Sequence, residues 1–251
     1  MQIVVDDLLI NYEIKGSGQS VLILHGWNDS LSTLQQYLGE IAADHQIILV
    51  DLPGFGKSQN PHSNWDLSSY AQFLRSFLKK INQSPSVLIG HSFGGSVLIK
   101  AIATKVVDAD KLVLIASSGI RLRSSQNKSQ LTKLTQKSSK LALNVLPTSI
   151  KRKVRQKIYT RIGSDLLLRP DLEPIFKNII SEDLSEEASH ISIPTLLIYG
   201  EQDTETPPHY GRIFHEKISP STLEIIANSG HYVFIDQQQT VLKLIKDFID
   251  A

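Results

Sequence analysis

The chain has 251 residues, 41% hydrophobic and 20% charged, and its 26 Lys and Arg nearly balance 25 Asp and Glu, a composition that excludes disorder, collagen and coiled coil. It contains no cysteine, which removes disulfides, thiolate metal centres, iron–sulfur clusters and a Cys nucleophile, so any nucleophile must be oxygen or nitrogen. The first ten residues, MQIVVDDLLI, lack a basic stretch and reach Asp6 and Asp7 early, and no apolar run approaches the roughly 18 residues of a membrane-spanning helix. The expectation is a soluble cytoplasmic protein with no secretory leader.

In chain order, two valines (4–5) and LLINYEI (8–14) flank Asp6-Asp7, a short turn suited to an antiparallel hairpin at a sheet edge. Apolar runs follow at 21–24, 47–50, 87–90, 112–116, 195–199 and 223–227. Most are continuously apolar instead of alternating, as in strands of a largely parallel sheet covered by helices on both faces. Helical periodicity falls between them, at about 30–43, 93–105, 208–217 and 240–249. It is clearest over 67–81, where Asp66 is an N-cap candidate and Tyr70, Phe73, Leu74, Phe77, Leu78 and Ile81 recur at steps of three and four. This alternation predicts a doubly wound α/β fold.

The alternation breaks between Ala116 and Thr195, a gap too long for one crossover. An insertion is expected there, giving a core domain of residues 1–119 and 191–251 and a helical cap, or lid, of residues 120–190. From Arg121 to Arg161 there are twelve basic residues and no acidic one, so the near-neutral total conceals a basic cap. Ile150, Val154, Ile158 and Ile162, at steps of four with basic residues around them, predict an amphipathic helix over 149–162.

Gly90-His91-Ser92-Phe93-Gly94-Gly95 directly follows the apolar run SVLI and directly precedes the helical run SVLIKAIA. A Ser on such a strand–turn–helix junction needs glycine on both sides, because the backbone is strained and strand and helix pack closely, leaving the hydroxyl exposed. Here the sequence resembles the α/β-hydrolase superfamily, specifically small cap-bearing serine hydrolases such as carboxylesterases and carbon–carbon bond hydrolases. The resemblance spans nearly the whole chain outside 120–190. Its other marks are Leu24-His25-Gly26-Trp27, the loop Asp51-Leu52-Pro53-Gly54-Phe55-Gly56-Lys57-Ser58, Gly200-Glu201-Gln202-Asp203, and Ser229-Gly230-His231. The fold it implies is a mostly parallel twisted sheet with an N-terminal antiparallel hairpin, helices on both faces and an inserted helical cap.

A serine hydroxyl is barely ionised at neutral pH and needs a neighbouring base, for which histidine is suited. Ser92 is read as nucleophile, His231 as base and Asp203 as the acid that fixes the imidazole tautomer, in the chain order of the superfamily. Glu201 and Glu205 are rival acids and His209 a rival base. The resemblance assigns the oxyanion hole to the backbone N–H groups of Trp27 and Phe93. His25, Gly26, His91 and Tyr232 are candidate pocket residues, although His25 and His91 also read as structural, one shaping the oxyanion turn and one packing beside the nucleophile. Trp65 and Phe55 are either pocket or core. Asp51 reads as a brace for its loop, because Pro-Gly-Phe-Gly lacks the spacing of a dinucleotide site.

No cofactor is implied, and the scattered histidines offer no metal-ligand pair at helical spacing. The predicted activity is hydrolysis of an ester-like carbonyl substrate through an acyl-enzyme, foremost as a carboxylesterase. Carbon–carbon bond hydrolysis and thioester hydrolysis of an anionic substrate remain alternatives, the first supported by Leu-Pro-Gly-Phe-Gly-Lys-Ser but set back by the absence of further glycines after Gly26. A reading from another class is a non-catalytic ligand-binding or membrane-surface module on the same fold. The basic cap is either a solvated surface, a recognition surface for an anionic small-molecule substrate, or a peripheral membrane contact. No nucleic-acid partner is expected, because no recognition motif accompanies the charge.

Overall fold

Asp6 and Asp7 carry φ of 48° and 63°, the left-handed pair that a two-residue hairpin turn demands and that aspartate tolerates better than most side chains. The turn joins β1 (Gln2–Val5) to β2 (Leu8–Lys15), with Val5 opposite Leu8 and Gln2 opposite Asn11. The computed structural model describes residues 1–62, 64–121 and 169–251. Within them the sheet is completed by β3 (Ser20–Leu24), β4 (Gln46–Val50), β5 (Val87–His91), β6 (Lys111–Ile115), β7 (Thr195–Gly200) and β8 (Ser221–Ile226). The eight strands are ordered β1-β2-β4-β3-β5-β6-β7-β8. β2 runs antiparallel to β4 and each later pairing is parallel, the mostly parallel sheet with an antiparallel hairpin that the sequence predicts.

The helices are α1 (Leu31–Leu38), α2 (Leu67–Lys80), α3 (Phe93–Ala103), α4 (Glu173–Ser181), α5 (Ser185–Ala188), α6 (Pro208–Lys217), α7 (Val233–Asp236) and α8 (Gln238–Asp250). On one face, Leu34 and Leu38 of α1, Phe234 of α7, and Val241 and Ile245 of α8 pack with Ile23, Leu49, Ile89, Ile115 and Ile198 of the central strands. Successive strand residues point to opposite faces, so the equally buried Leu22, Ile48, Leu88 and Leu114 meet the other layer. There α2 and α3 pack on each other, and α3 lies on β5 and β6. This two-sided coverage is why the strands read as continuously apolar.

The helix expected over 30–43 is split. After Leu38 the chain tightens into a 3-10 turn, Gly39–Ala43, because glycine weakens an α-helix and permits the change. α2 starts with a capping box: the Asp66 carboxylate accepts from Ser69 N at 2.8 Å, and Ser69 Oγ reaches back to the Asp66 N–H. Lys100 on α3 bridges Glu182 (3.2 Å) and Glu187 (2.8 Å), while Glu182 also accepts from Leu67 N at the start of α2 (3.1 Å). The segment around α5 is thus tied to both helices.

The chain divides into two compact units, Met1–Ile120 with Pro174–Ala251, and Arg121–Glu173. By this division α5 and nearly all of α4 belong with the sheet. In the second unit Arg169 pairs with Asp171 (2.7 Å) at the 3-10 turn Pro170–Leu172. The basic run from Arg121 to Arg161 and the amphipathic stretch 149–162 lie, beyond Arg121 itself, outside the described residues. No helix among the described residues is long and apolar enough to cross a membrane.

Candidate active site

β5 ends at His91 and α3 begins at Phe93, so Ser92 alone turns the chain. Its φ of 49° and ψ of −112° fall in a region that L side chains rarely occupy. Hydrogen bonds hold it there: Ser92 N donates to Ile115 O (2.9 Å), and Ser92 O accepts from Ser96 N (3.2 Å) and Ser118 N (3.3 Å). The flanking glycines are required by space. A Cβ on Gly90 would lie 2.6 Å from Gly95 N, and one on Gly94 would lie 2.6 Å from Leu24 O.

The loop after β3 is organised by His25, which is fully buried. Leu52 N donates to His25 Nε2 (3.0 Å), so that nitrogen is unprotonated and the proton sits on Nδ1, which donates to Gly26 O (2.7 Å). Burial keeps this imidazole's pKa below its usual value. His25 therefore ties the loops after β3 and β4 together as a neutral brace. Asp51 does the same with charge: one oxygen accepts from Leu31 N (2.7 Å), the other from Asn11 Nδ2 (2.8 Å) and Lys57 N (2.9 Å).

A Cβ on Gly26 would sit 2.9 Å from His91 Nδ1 and 3.4 Å from Ser92 Cβ, which places this loop directly against the nucleophile candidate. The expected oxyanion residues are also together. The Trp27 and Phe93 rings meet edge-on at 5.5 Å, with Phe55 at 4.8 Å and Phe176 at 4.9 Å from Trp27. Trp65 instead packs edge-on against Tyr70 (5.0 Å) on α2.

The loops after β7 and β8 are laced: Glu201 N donates to Ile226 O (2.9 Å) and Gln202 N to Ser229 O (2.8 Å). They cross so closely that a Cβ on Gly200 would meet Gly230 O at 2.2 Å. This crossing brings Asp203 Oδ2 within 2.9 Å of His231 Nδ1. Asp203 is buried, which alone would raise its pKa. Hydrogen bonding and charge from His231, then donors from Thr206, overcome that and hold the carboxyl below its usual range. Its other oxygen accepts from Glu205 N (2.8 Å) and Thr206 N (3.0 Å).

Of the rival acids, Glu201 is exposed and Glu205 lies at the opposite ring nitrogen, its carboxylate 3.7 Å from His231 Nε2. His209 packs edge-on against Tyr210 at 4.8 Å. His91 is buried under the pair: its ring is 4.9 Å from that of His231, and its Nε2 lies 3.1 Å from His231 O. Burial first, and the neighbouring His231 second, push its pKa down to about 3, so the ring is neutral and Nε2–H donates to that carbonyl. Tyr232 is more than a third exposed, with its ring 5.1 Å from His91.

Two neighbours escape the sequence reading. Phe176 lies in the segment assigned wholesale to the cap. Thr206 is buried with its hydroxyl 2.8 Å from Asp203 Oδ2. The only sequence signal for Thr206 is its place three residues after Asp203, where a hydroxyl residue before Pro207 suits an Asx-type turn. Among the described residues no cluster of three or more His, Asp or Glu is arranged to hold a metal ion.

Residues 21–244 match the alpha/beta hydrolase family, and the chain belongs to it. Among curated relatives it is 25% identical to the AB hydrolase superfamily protein YisY of Bacillus subtilis, over 94% of this chain and 93% of that one. It is also 25% identical to monoacylglycerol lipase ABHD6 of Rattus norvegicus, over 93% of this chain and 76% of that one. Among solved structures it resembles an esterase from Exiguobacterium antarcticum (TM-score 0.74, 20% identity, covering 100% and 99% of the two chains). A membrane phospholipase A is similar in fold (TM-score 0.78, 20% identity, 100% and 85%). The protein is thus a hydrolase of the α/β-hydrolase fold.

Proposed function

We propose that the protein is a cofactor-independent serine hydrolase, foremost a carboxylesterase, with Ser92, His231 and Asp203 as its catalytic triad. The reading rests on the Asp203–His231 hydrogen bond of 2.9 Å, with the His231 ring 4.9 Å from that of His91, the residue before a serine held at positive φ between strand and helix. Ser92 Oγ attacks the carbonyl carbon as His231 Nε2 takes its proton, and Asp203 steadies the resulting imidazolium through Nδ1–H. The backbone N–H groups of Trp27 and Phe93 receive the oxyanion. The tetrahedral intermediate then collapses: the carbon–oxygen bond to the leaving group breaks, and that oxygen takes the proton from His231. Water, deprotonated by His231, attacks the acyl-enzyme; the bond to Ser92 Oγ breaks, Oγ takes that proton back from His231, and the acid is released. The lipase and esterase names of the relatives fit this chemistry.

Turnover of a p-nitrophenyl ester series, acetyl to dodecanoyl, is compared between wild type and Ser92→Ala, with fluorophosphonate labelling in parallel. Turnover and labelling that vanish in the variant support the proposal. Labelling without ester turnover moves the substrate class to carbon–carbon or thioester bonds while keeping the triad. A folded protein that neither turns over nor labels refutes the enzyme reading and favours a binding module.

A further inference from the structure

The acid and base loops are held by a residue with no role in the chemistry just described. Thr206 is 4% exposed, and its hydroxyl oxygen lies 2.8 Å from Asp203 Oδ2, 2.9 Å from Ala116 O and 3.1 Å from His231 Nδ1. A hydroxyl has one proton, so it serves either Asp203 or Ala116 O at a given moment. An ionised carboxylate accepts about four hydrogen bonds. Asp203 has Glu205 N and Thr206 N on Oδ1, and His231 Nδ1–H on Oδ2. With its proton turned to Oδ2 the Thr206 hydroxyl is the fourth donor, and it completes the shell of a buried charge.

The same hydroxyl also meets the nucleophile's support. Ala116 follows β6 at φ 46°, two residues before Ser118, whose N–H donates to Ser92 O. One side chain thus touches the acid, the base and the strand end from which the serine turn is braced.

Resting on the triad reading, we propose that Thr206 is a positioning residue: through its hydrogen bond to Asp203 Oδ2 it fixes the carboxylate against His231 and sets how readily His231 takes the serine proton. Without that donor, Asp203 keeps only the His231 hydrogen bond on Oδ2, so the oxygen that faces the imidazole is less firmly fixed than Oδ1, which keeps its two backbone donors. Its charge also falls more fully on His231. Both the carboxylate and the imidazole then hold protons more tightly, so loss of activity on the acid side begins at higher pH. Besides the pair itself, titratable groups that face it from the described residues are Glu205 at His231 Nε2, the neutral His91 beneath, and the buried Tyr199 phenol of β7 on the Asp203 side.

The test measures fluorophosphonate labelling rate against pH for wild type, Thr206→Val, which keeps the shape, and Thr206→Ser, which keeps the hydroxyl, with thermal unfolding of each. Thr206→Val is expected to label roughly 10- to 100-fold more slowly at neutral pH, as a displaced catalytic group does. The acid midpoint of its labelling profile moves up by about half a pH unit. Thr206→Ser restores both. If Thr206→Val does not fold, Thr206→Ala is read on the same two scales.

A hydroxyl-free variant that labels like wild type with the same midpoint overturns the inference and leaves the triad standing. A loss that serine does not rescue, with no change in midpoint, also overturns it. Wild type that fails to label removes the triad reading and this inference together.

Discussion

Gly90→Ala is the most demanding test of the turn that presents Ser92. The added Cβ would meet Gly95 N at 2.6 Å, Gly95 Cα at 2.7 Å and Gly94 C at 2.8 Å, all backbone atoms, whereas ordinary contact begins at 3.4 Å. Backbone cannot swing aside as a side-chain tip can, so the first turn of α3 must retreat from β5 by about 0.8 Å, the difference between 2.6 and 3.4 Å. Overpacking of a close-packed interior costs about 1–3 kcal/mol, and the rigidity on both sides puts this case near 3 kcal/mol. For a domain of this size that is a fall in Tm of roughly 6–12 °C. A shift approaching 1 Å in a reacting group is expected to slow labelling at Ser92 by roughly 100-fold. Gly230→Ala, beside His231, is the control. Its Cβ meets only Asp236 Oδ2, at 3.7 Å, and its φ is not in the left-handed region, so stability is expected to change by less than about 0.5 kcal/mol. Differential scanning calorimetry and fluorophosphonate labelling read both. A Gly90→Ala protein with wild-type Tm and labelling, or equal damage from both substitutions, refutes the packing argument.

Backbone strain at Ser92, φ 49° and ψ −112°, costs about 1–3 kcal/mol in any residue with a Cβ. Glycine relieves it at the expense of its freedom in the unfolded chain, so Ser92→Gly is expected to exceed Ser92→Ala in urea-measured stability by about 1 kcal/mol. The reverse order would remove strain from the account of the turn. His91, with its pKa down at about 3, stays neutral in the fold while the unfolded chain protonates it through the ordinary histidine value of 6.5. The unfolded state binds the extra proton, so stability falls as pH drops through this window, by about 1.4 kcal/mol per pH unit for this group. His91→Gln is expected to flatten that decline between pH 6 and pH 4 in urea titrations, and an unchanged slope would contradict it. The Lys100 ammonium, opposed by burial, is held above its ordinary pKa by Glu187 and Glu182. Lys100→Met is expected to cost about 1–2 kcal/mol, because it leaves two half-buried carboxylates without their cation. Adding Glu182→Gln and Glu187→Gln should recover part of that loss.

Much of the fold is legible because its elements follow period and capping. The strands at 21–24, 47–50 and 87–90 show as unbroken apolar runs, and Asp66 marks the start of α2. β8 is less plain. It is read as 223–227 but runs from Ser221 to Ile226, because its limits follow from register with β7, Thr195 opposite Ser221 and Gly200 opposite Ile226. Pairing across strands leaves no periodic trace in one strand alone. The same limit applies at the site. Phe176 reaches it through tertiary packing on the Trp27 ring, which nothing in its local sequence announces, and Thr206 shows locally only as a hydroxyl three residues after Asp203, while its contacts with Ala116 O and His231 are tertiary.

The histidines show where residue type ends and geometry begins. His25, His91 and His231 all lie near Ser92, and composition treats them alike. Hydrogen-bond accounting separates them. His25 Nε2 must accept from Leu52 N, and its Nδ1–H is spent on Gly26 O, so neither nitrogen is free for a serine proton. His91 Nε2–H is spent on His231 O, and the other nitrogen is buried against Gly26, where a Cβ would already be 2.9 Å away. His231 alone has Nδ1 engaged by a carboxylate, which places the proton on that nitrogen and directs the lone pair to Nε2. A base requires such a lone pair on the reacting side, and an adjacent anion to offset the charge it acquires. Glu205, 3.7 Å from Nε2, faces that same nitrogen but holds no position on Nδ1, so it can modulate the imidazolium without replacing Asp203 as the group that sets the tautomer.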